Sequence, residues 1–229
     1  MDKIKVINIQ KRVYANNDED AMKLRKKLTL NQTFVMNLMS SPGSGKTTML
    51  INTINRLKSQ VKIGIIEADV DSDVDAYSIL NQTGVTVNQL NSGGMCHIDA
   101  DMAKQGLDDL NYKEFDFVVI ENIGNLICPA SYDLGQALNT MILSVPEGDD
   151  KPLKYPKMFT KVDCLLVSKV DTLSVFDFDF NKLEERVKKL NPNIKIFPIS
   201  AKTGQGMDAW CSYLMDHISS FQKGGKANG

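Results

Sequence analysis

One segment of the chain has the residue types needed to hold a row of phosphates. Residues 40–48 spell SSPGSGKTT and follow the apolar run FVMNLM, so a strand is predicted to lead through a glycine-rich turn into a helix. Glycines let the backbone approach phosphates closely, and the helix N-terminus adds a favourable partial charge. The segment is therefore predicted to be a Walker A loop that binds a nucleoside triphosphate through Gly43, Ser44, Gly45, Lys46, Thr47 and Thr48.

Two side chains of this loop have expected roles in chemistry. Lys46 supplies a positive charge for the β- and γ-phosphates, and the Thr47 hydroxyl can hold Mg²⁺. Ser40 stands where the pattern has its first glycine. The alternative is an ordinary glycine-rich turn between a strand and a helix, which the complete GSGKTT after an apolar strand disfavours.

Two later segments indicate which base is bound. The apolar run CLLVSK ends in Ser168-Lys169-Val170-Asp171, which resembles the N/T-K-x-D motif of GTPases with serine in its first position. There the lysine stem packs on the base and the aspartate accepts hydrogen bonds from guanine N1–H and N2–H, donors that adenine does not offer as a pair. The second segment, which follows the strand pattern IKIFPIS, resembles the S-A-K loop of GTPases and consists of Ser200, Ala201 and Lys202. The SKxD segment alone could be a surface turn with an ion pair, but the two segments together predict GTP rather than ATP.

Carboxylates follow two of the predicted strands. The run VKIGIIEA leads into an acidic stretch, and FDFVVIE ends at Glu121, the position of a Walker B carboxylate. Mg²⁺ and a nucleotide-dependent switch need such groups beside the phosphate loop. We expect Asp69, Asp75 and Glu121 to serve the metal or the switch, and to form the catalytic set with Lys46 and Thr47. An acidic first turn of a helix is a second explanation of the stretch, and both can hold at once.

A second group of residues has softer ligand atoms. Cys96 and His97 are adjacent in NSGGMCHIDADM, and Cys128 lies in ENIGNLICPASYDLG, seven residues beyond Glu121. Two thiolates and an imidazole suit Zn²⁺ or Ni²⁺, and three ligands leave a position open or invite completion by a second copy. Residue types alone favour an interpretation without a metal, in which the two cysteines are small buried apolar residues and the histidine is beside them by chance. The position of Cys128 strengthens the metal hypothesis, because a segment that reorders with the nucleotide would move a ligand with it.

Composition excludes several classes of protein. The 229 residues are 42% hydrophobic and 24% charged, and 27 basic against 28 acidic residues argue against a general nucleic-acid binder. No apolar run reaches the roughly 18 residues of a membrane-spanning helix. Four cysteines do not make a disulfide framework, and the first residues lack a signal-peptide pattern, so a reducing, cytoplasmic location is expected.

Apolar strand patterns alternate with helical ones from residue 33 onward. This order predicts an α/β fold, a mostly parallel sheet with helices on both faces. The amphipathic stretch DEDAMKLRKKLTL, residues 18–30, predicts a helix before the first strand. We therefore expect an N-terminal extension at 1–31, a P-loop domain at 32–222 and a disordered tail at 223–229.

Taken together, these segments resemble the HypB family, the nickel-incorporation GTPases of [NiFe]-hydrogenase maturation. The resemblance extends from about residue 14 to residue 215 and rests on NLMSSPGSGKTT, NSGGMCHIDADM, ENIGNLICPASYDLG and EGDDKPLKYPKMF. It implies a SIMIBI-type G domain, slow GTP hydrolysis and a homodimer tightened by GTP. It also implies nickel or zinc at the dimer interface on Cys96, His97 and Cys128. The implied partners are a small zinc-containing nickel carrier and the hydrogenase large-subunit precursor.

Several departures from the family pattern limit what the resemblance implies. The chain has neither the N-terminal cysteine motif nor the histidine-rich stretch that some members use to hold nickel tightly. Ala68 stands where the family commonly has glycine, and Met95 stands where it commonly has glycine or glutamate. Ser168 replaces asparagine or threonine. No departure removes a metal ligand or a phosphate contact. Nickel versus zinc stays open, because spacing does not set coordination geometry.

Two other functions remain as alternatives. One is a urease-type or cobalamin-enzyme metallochaperone GTPase, whose metal or partner motifs would differ from CHxDA and NLxCPA. The other is a metal carrier in which the nucleotide only stabilises the fold, which a complete set of guanine motifs disfavours.

Overall fold

The structure is a computed structural model that describes the backbone of residues 9–69 and 72–226 and the side chains of residues 16–69 and 72–224. Its strands are β1 Phe34–Ser40, β2 Ile63–Asp69, β3 Thr86–Asn91, β4 Phe117–Glu121, β5 Leu138–Ser144, β6 Cys164–Ser168 and β7 Lys195–Pro198. Its α-helices are α1 Ile9–Asn31, α2 Lys46–Leu57, α3 Val74–Thr83, α4 Ala100–Leu110, α5 Lys151–Lys154, α6 Pro156–Lys161, α7 Phe180–Leu190 and α8 Met207–Lys226. In this part of the chain no helix is both long and apolar enough to cross a membrane.

The seven strands form one sheet in the order β3-β2-β4-β1-β5-β6-β7. Every strand pair in it is parallel, so the predicted mostly parallel sheet is confirmed. Since parallel strands all end at one edge, the loops after β1, β2, β3, β4, β6 and β7 lie along the carboxyl edge of the sheet. Ligands of open α/β sheets bind at that edge.

Helices cover both faces of the sheet, as the alternating pattern predicts. Phe34, Met36 and Leu38 of β1 point to one face, where they pack with residues of α2, α3 and α8. Val35 points to the opposite face, where residues of α1 and α4 pack, and Met39 lies on the same side among residues of α6 and α7. Because β1 is buried along its whole length, its last residues present the phosphate loop from a rigid base.

Helix α1 begins nine residues earlier than the predicted start at residue 18. The polar run at 16–18 suggests a break, but the helix continues through it. Asn17 is buried there, and both its amide nitrogen and its amide oxygen are hydrogen-bonded. Leu24 and Leu28 of α1 belong to the core with β1 and α4, so the predicted extension packs on the domain. Residues 1–8 of that extension lie outside the described residues.

Helix α8 also differs from the prediction at its end. It continues to Lys226, so its last turn extends into the segment predicted to be a disordered tail from residue 223. Residues 227–229 of that tail lie outside the described residues, as does Asp71 of the acidic stretch.

Candidate functional site: a phosphate loop, a guanine pocket and a cysteine–histidine cluster

The phosphate loop has the backbone conformation that its glycines allow. Gly43 and Gly45 have φ values of 73° and 93°, a left-handed region that residues with a Cβ rarely enter. Gly45 caps α2, so Lys46 and Thr47 occupy the first two helical positions, where backbone N–H groups lack intrahelical partners. Ser40, which replaces the first glycine of the motif, is buried and donates its hydroxyl to the Ser41 carbonyl.

A cluster of three carboxylates lies beside this loop. Oxygen atoms of Glu67, Asp75 and Glu121 all come within 4.8 Å of one another. Thr47 Oγ1 donates to Glu121 Oε1 at 3.1 Å, and Lys46 Nζ lies 3.8 Å from the same oxygen. The structure therefore places two of the three predicted carboxylates, Asp75 and Glu121, in one cluster, and Glu121 lies beside the two side chains predicted to be catalytic, Lys46 and Thr47.

Glu67 is the member of this cluster that sequence reasoning missed in favour of Asp69. Glu67 and Glu121 are register partners on the neighbouring strands β2 and β4, so their side chains leave the same face side by side. Asp69 is outside the group of three, and its Oδ1 accepts a hydrogen bond from the Ser72 N–H. Strand parity could not have found it, because Glu67 and Asp69 are two residues apart and share a face of β2. Only the register of β2 with β4 places Glu67, and not Asp69, level with Glu121.

The carboxylate cluster is buried, and its burial changes the protonation of its members. Burial and the nearby charge of Glu121 raise the pKa of Glu67 to about 8. Burial, opposed by Lys46, raises the pKa of Glu121 to about 7. The Oε2 atoms of both residues are buried without a hydrogen-bond partner. Buried acceptors of this kind are costly, and hard oxygen donors beside a threonine hydroxyl fit Mg²⁺.

The two predicted guanine loops close a pocket over the start of α2. The pocket has a volume of about 310 Å³, and all five predicted base-binding residues line it. Asp171 Oδ1 accepts a hydrogen bond from Ser200 Oγ at 2.6 Å, which lowers the pKa of Asp171. The full lining consists of Ser44, Gly45, Thr48, Met49, Ser168, Lys169, Asp171, Thr172, Ser200, Ala201 and Lys202.

The serine at the first position of the base-binding motif keeps a structural role. Ser168 Oγ donates to the Ser44 carbonyl at 2.7 Å, and Lys169 Nζ donates to the Gly43 carbonyl at 2.8 Å. Both bonds tie the guanine loop directly to the phosphate loop. The departure at Ser168 is therefore compatible with an intact base site.

The cysteine–histidine residues also come together, at the loops after β3 and β4. Cys96 Sγ lies 2.9 Å from Cys128 Sγ and 3.9 Å from His97 Nδ1, and the three ligand atoms lie within 4.8 Å of one another. Burial lowers the pKa of His97, which favours the neutral imidazole that a metal binds. The remaining cysteines, Cys164 and Cys211, are buried in the core as predicted.

One short segment connects the nucleotide and cysteine regions. It runs from Glu121 at the end of β4 to Cys128 and passes beside Pro42 of the phosphate loop. At Gly124 an added Cβ would lie 3.1 Å from the Pro42 ring and backbone nitrogen. One residue further, Asn125 Nδ2 donates to the Cys96 carbonyl at 3.3 Å. The segment next to the phosphate loop therefore bears the Cys128 thiol and is hydrogen-bonded to the backbone of Cys96.

Comparison with known proteins identifies relatives along most of the chain. Residues 34–198 match the family model described as CobW/HypB/UreG, nucleotide-binding domain. The chain is similar to the hydrogenase maturation factor HypB of Escherichia coli strain K12, with 41% identity over 93% of this chain and 73% of the relative. It is also similar to the hydrogenase/urease maturation factor HypB of Helicobacter pylori strain J99, with 39% identity over 93% of this chain and 88% of that protein.

Solved structures give the same result in three dimensions. The crystal structure of HypB from Helicobacter pylori in complex with nickel is 38% identical, with a TM-score of 0.84 over 90% of this chain and 96% of that one. The hydrogenase maturation factor HypB from Archaeoglobus fulgidus is 35% identical, with a TM-score of 0.82 over 89% of this chain and 99% of that one. The signal recognition particle receptor FtsY of Elizabethkingia anophelis in complex with GDP is 16% identical with a TM-score of 0.53, a likeness of fold alone.

Proposed function

The chain belongs to the HypB proteins of the CobW/HypB/UreG family, and from this premise we propose that it is a GTPase that delivers nickel during the maturation of a [NiFe]-hydrogenase. Two kinds of support combine here. The relatives are named hydrogenase maturation factors, and one related structure contains nickel. The phosphate loop, guanine pocket and cysteine–histidine cluster of this chain have the donor groups that such a function needs.

The nucleotide part of the proposal assigns roles to individual residues. The backbone of Gly43 to Thr48 and the side chain of Lys46 hold the phosphates, while Lys169 and Asp171 hold guanine. Thr47 with the carboxylates of Asp75 and Glu121 holds Mg²⁺, which supplies charge neutralisation at the β- and γ-phosphates. Asp69 remains a proposed switch residue, and Glu67 joins the magnesium set on the strength of its unpaired oxygen. Slow turnover is expected because no arginine finger is evident in the sequence.

The metal part of the proposal places nickel or zinc on Cys96, His97 and Cys128. Three donors from one chain leave a coordination position that a second copy can fill, which favours a homodimer closed by GTP. We propose that hydrolysis relaxes the segment from Glu121 to Cys128 and releases the ion to its acceptor. The proposed partners are the hydrogenase large-subunit precursor and a small zinc-containing nickel carrier, in the cytoplasm.

The observation that supports this coupling most directly is the segment between the two sites. At Gly124 it passes so close to Pro42 that an added Cβ would lie 3.1 Å away, at Asn125 it is hydrogen-bonded to the Cys96 carbonyl, and it ends at Cys128. A nucleotide-driven change at the phosphate loop thus has a short covalent path to a metal ligand.

The decisive experiment is transfer of nickel to a purified hydrogenase precursor. Protein loaded with nickel and GTP should activate the precursor, and the Lys46→Ala variant, checked for correct folding, should not. Equal delivery by the variant would refute the GTPase role and favour a carrier in which the nucleotide is only structural. Activation of a urease apoenzyme but not of the hydrogenase precursor would favour a urease-type function.

A further inference from the structure

A buried asparagine on helix α1 joins the two loops that bear the cysteines. Asn17 is 7% exposed. Its Nδ2 donates to the Asp133 carbonyl at 2.9 Å, and its Oδ1 accepts from the Ala100 N–H at 2.8 Å. Ala100 follows His97 by three residues, and Asp133 follows Cys128 by five. One carboxamide therefore contacts the first residue of α4, which directly follows the Cys96–His97 loop, and the loop after Cys128.

The chemistry of these two bonds requires an amide. Ala100 is the first residue of α4, and its N–H has no partner within that helix. The N-cap residue, Asp99, accepts from Met102 instead, so the Asn17 oxygen satisfies a separate donor. The uncharged amide of asparagine supplies both groups, with the NH₂ as the donor and the neighbouring oxygen as the acceptor, whereas a carboxylate only accepts and a methyl group does neither.

Other contacts show that α1 is a firm base for the loop after Cys128. Arg25 Nη2 lies 2.6 Å and 2.7 Å from the two carboxylate oxygens of Asp133. Gly135 has a φ of 75°, and an added Cβ there would lie 2.8 Å from the Ala21 carbonyl of α1. These contacts act on the loop after Cys128, whereas Asn17 acts on both loops.

The two loops also contact each other beside the cysteine–histidine cluster, so a shift of one loop changes the position of the other. The His97 ring stacks on Tyr132 with 4.0 Å between centroids and 15° between planes. Tyr132 directly precedes Asp133, the residue that Asn17 holds. The spacing of the His97 and Cys128 ligands is thus tied to the position of the Asn17 amide.

We propose that Asn17 is a positioning residue that sets the separation of the Cys96–His97 loop from the Cys128 loop, and through it the affinity for nickel. This inference rests on the proposed function in naming nickel as the ion. Its geometric part, the separation of the two thiols, can be tested without any metal. Removal of a group that is hydrogen-bonded to a metal ligand lowers affinity by about 10- to 100-fold, and we expect an effect in this range for Asn17, which acts through the backbone next to the ligands.

The first test compares Asn17→Ala with Asn31→Ala. Asn31 lies on the same helix, is exposed, and donates to the Lys27 carbonyl and the Tyr112 hydroxyl rather than to either loop. Nickel affinity is measured by chelator competition, and the thiolate-to-nickel charge-transfer band is recorded. Asn17→Ala should bind nickel about 10- to 100-fold more weakly with an altered band. Asn31→Ala should match the wild type, and both should keep wild-type GDP affinity. Equal nickel affinity and identical bands in the two variants would overturn the proposal.

The second test needs no metal. In a glutathione redox buffer, the thiols of Cys96 and Cys128 form one disulfide while one glutathione disulfide is reduced to two glutathione thiols. The equilibrium constant reports how well the two loops are held together. It should fall at least about fivefold in Asn17→Ala and stay unchanged in Asn31→Ala, since loss of orientation lowers effective molarity. An unchanged constant in Asn17→Ala would refute positioning.

The two tests separate failure of this inference from failure of the proposed function. A wild-type protein that binds no nickel contradicts the function, while the disulfide equilibrium still decides the role of Asn17. If Asn17→Ala does not fold, as shown by lost GDP binding, Asn17→Asp replaces it. The aspartate keeps an acceptor for the Ala100 N–H, at a helix N-terminus that favours a negative charge, but donates nothing to the Asp133 carbonyl. A wild-type disulfide constant in that variant would contradict the proposal.

Discussion

Replacement of Asp171 by asparagine should convert the base pocket from guanine to xanthine. Asp171 is exposed and its one described side-chain bond comes from Ser200, so the change leaves the core of the domain untouched. In the proposed complex its carboxylate accepts hydrogen bonds from guanine N1–H and N2–H. An asparagine oxygen can accept only one of these bonds well, and its NH₂ group faces the guanine amino group.

The size of the effect follows from the hydrogen bonds that change. A bond to a charged group contributes about 1.5–3 kcal/mol, so loss of one bond with weakening of the other costs about 3 kcal/mol. That energy corresponds to a roughly 150-fold weaker affinity for GDP. Xanthine has a carbonyl oxygen where guanine has its amino group, so the asparagine NH₂ can donate to it while the asparagine oxygen accepts from N1–H. Affinity for XDP should therefore rise in the same variant.

Calorimetric or fluorescence titration of both proteins with GDP and XDP measures the four dissociation constants. The wild type should prefer GDP, and Asp171→Asn should prefer XDP. Ser200→Ala is a milder comparison. It removes a hydroxyl that donates to Asp171 and accepts from the Thr203 N–H, but it keeps the carboxylate, so its preference should stay with GDP. A variant at Asp171 that still prefers GDP over XDP would refute the placement of the base in this pocket.

Three further outcomes are expected. A Gly206→Ala change should lower the free energy of unfolding by at least about 2 kcal/mol in denaturant titrations. Gly206 has a φ of 72°, and an added Cβ would lie 2.0 Å from the Pro198 carbonyl. Wild-type stability in this variant would contradict the clash. Burial raises the pKa of Glu67 from 4.5 to about 8, so the free energy of unfolding of the metal-free protein should fall as the pH rises from 4.5 toward 8. Glu67→Gln should make this fall smaller. Identical pH profiles of the wild type and the variant would contradict the shift. A disulfide between Cys96 and Cys128 should abolish nickel binding reversibly, because it consumes both thiolates; undiminished binding by the oxidised protein would exclude them as ligands.

Local patterns were sufficient to predict the fold class because the strands and helices around the phosphate loop have clear signals in the sequence. β1 is an apolar run buried along its whole length, and α2 follows it through glycines in left-handed conformations. Such short-range signals also predicted the loops that form the guanine pocket. The order of strands in the sheet, by contrast, depends on long-range packing and was not predicted.

The errors have a common physical origin in contacts between distant parts of the chain. Asn17 looks like a helix breaker in the sequence, but Ala100 and Asp133 satisfy its amide from loops far along the chain. Glu67 is one carboxylate among several until its register with Glu121 on the next strand places the two side by side. Neither fact can be derived from spacing along a single segment.

The most direct test of the central claim is the nickel affinity of the reduced protein in two nucleotide states. Protein saturated with Mg²⁺ and either GDP or a non-hydrolysable GTP analogue is titrated with Ni²⁺, while its mass in solution is monitored. If the segment from Glu121 to Cys128 couples the two sites, the GTP analogue should tighten nickel binding and shift the protein toward a dimer. Equal affinity and equal mass in both states would contradict the coupling.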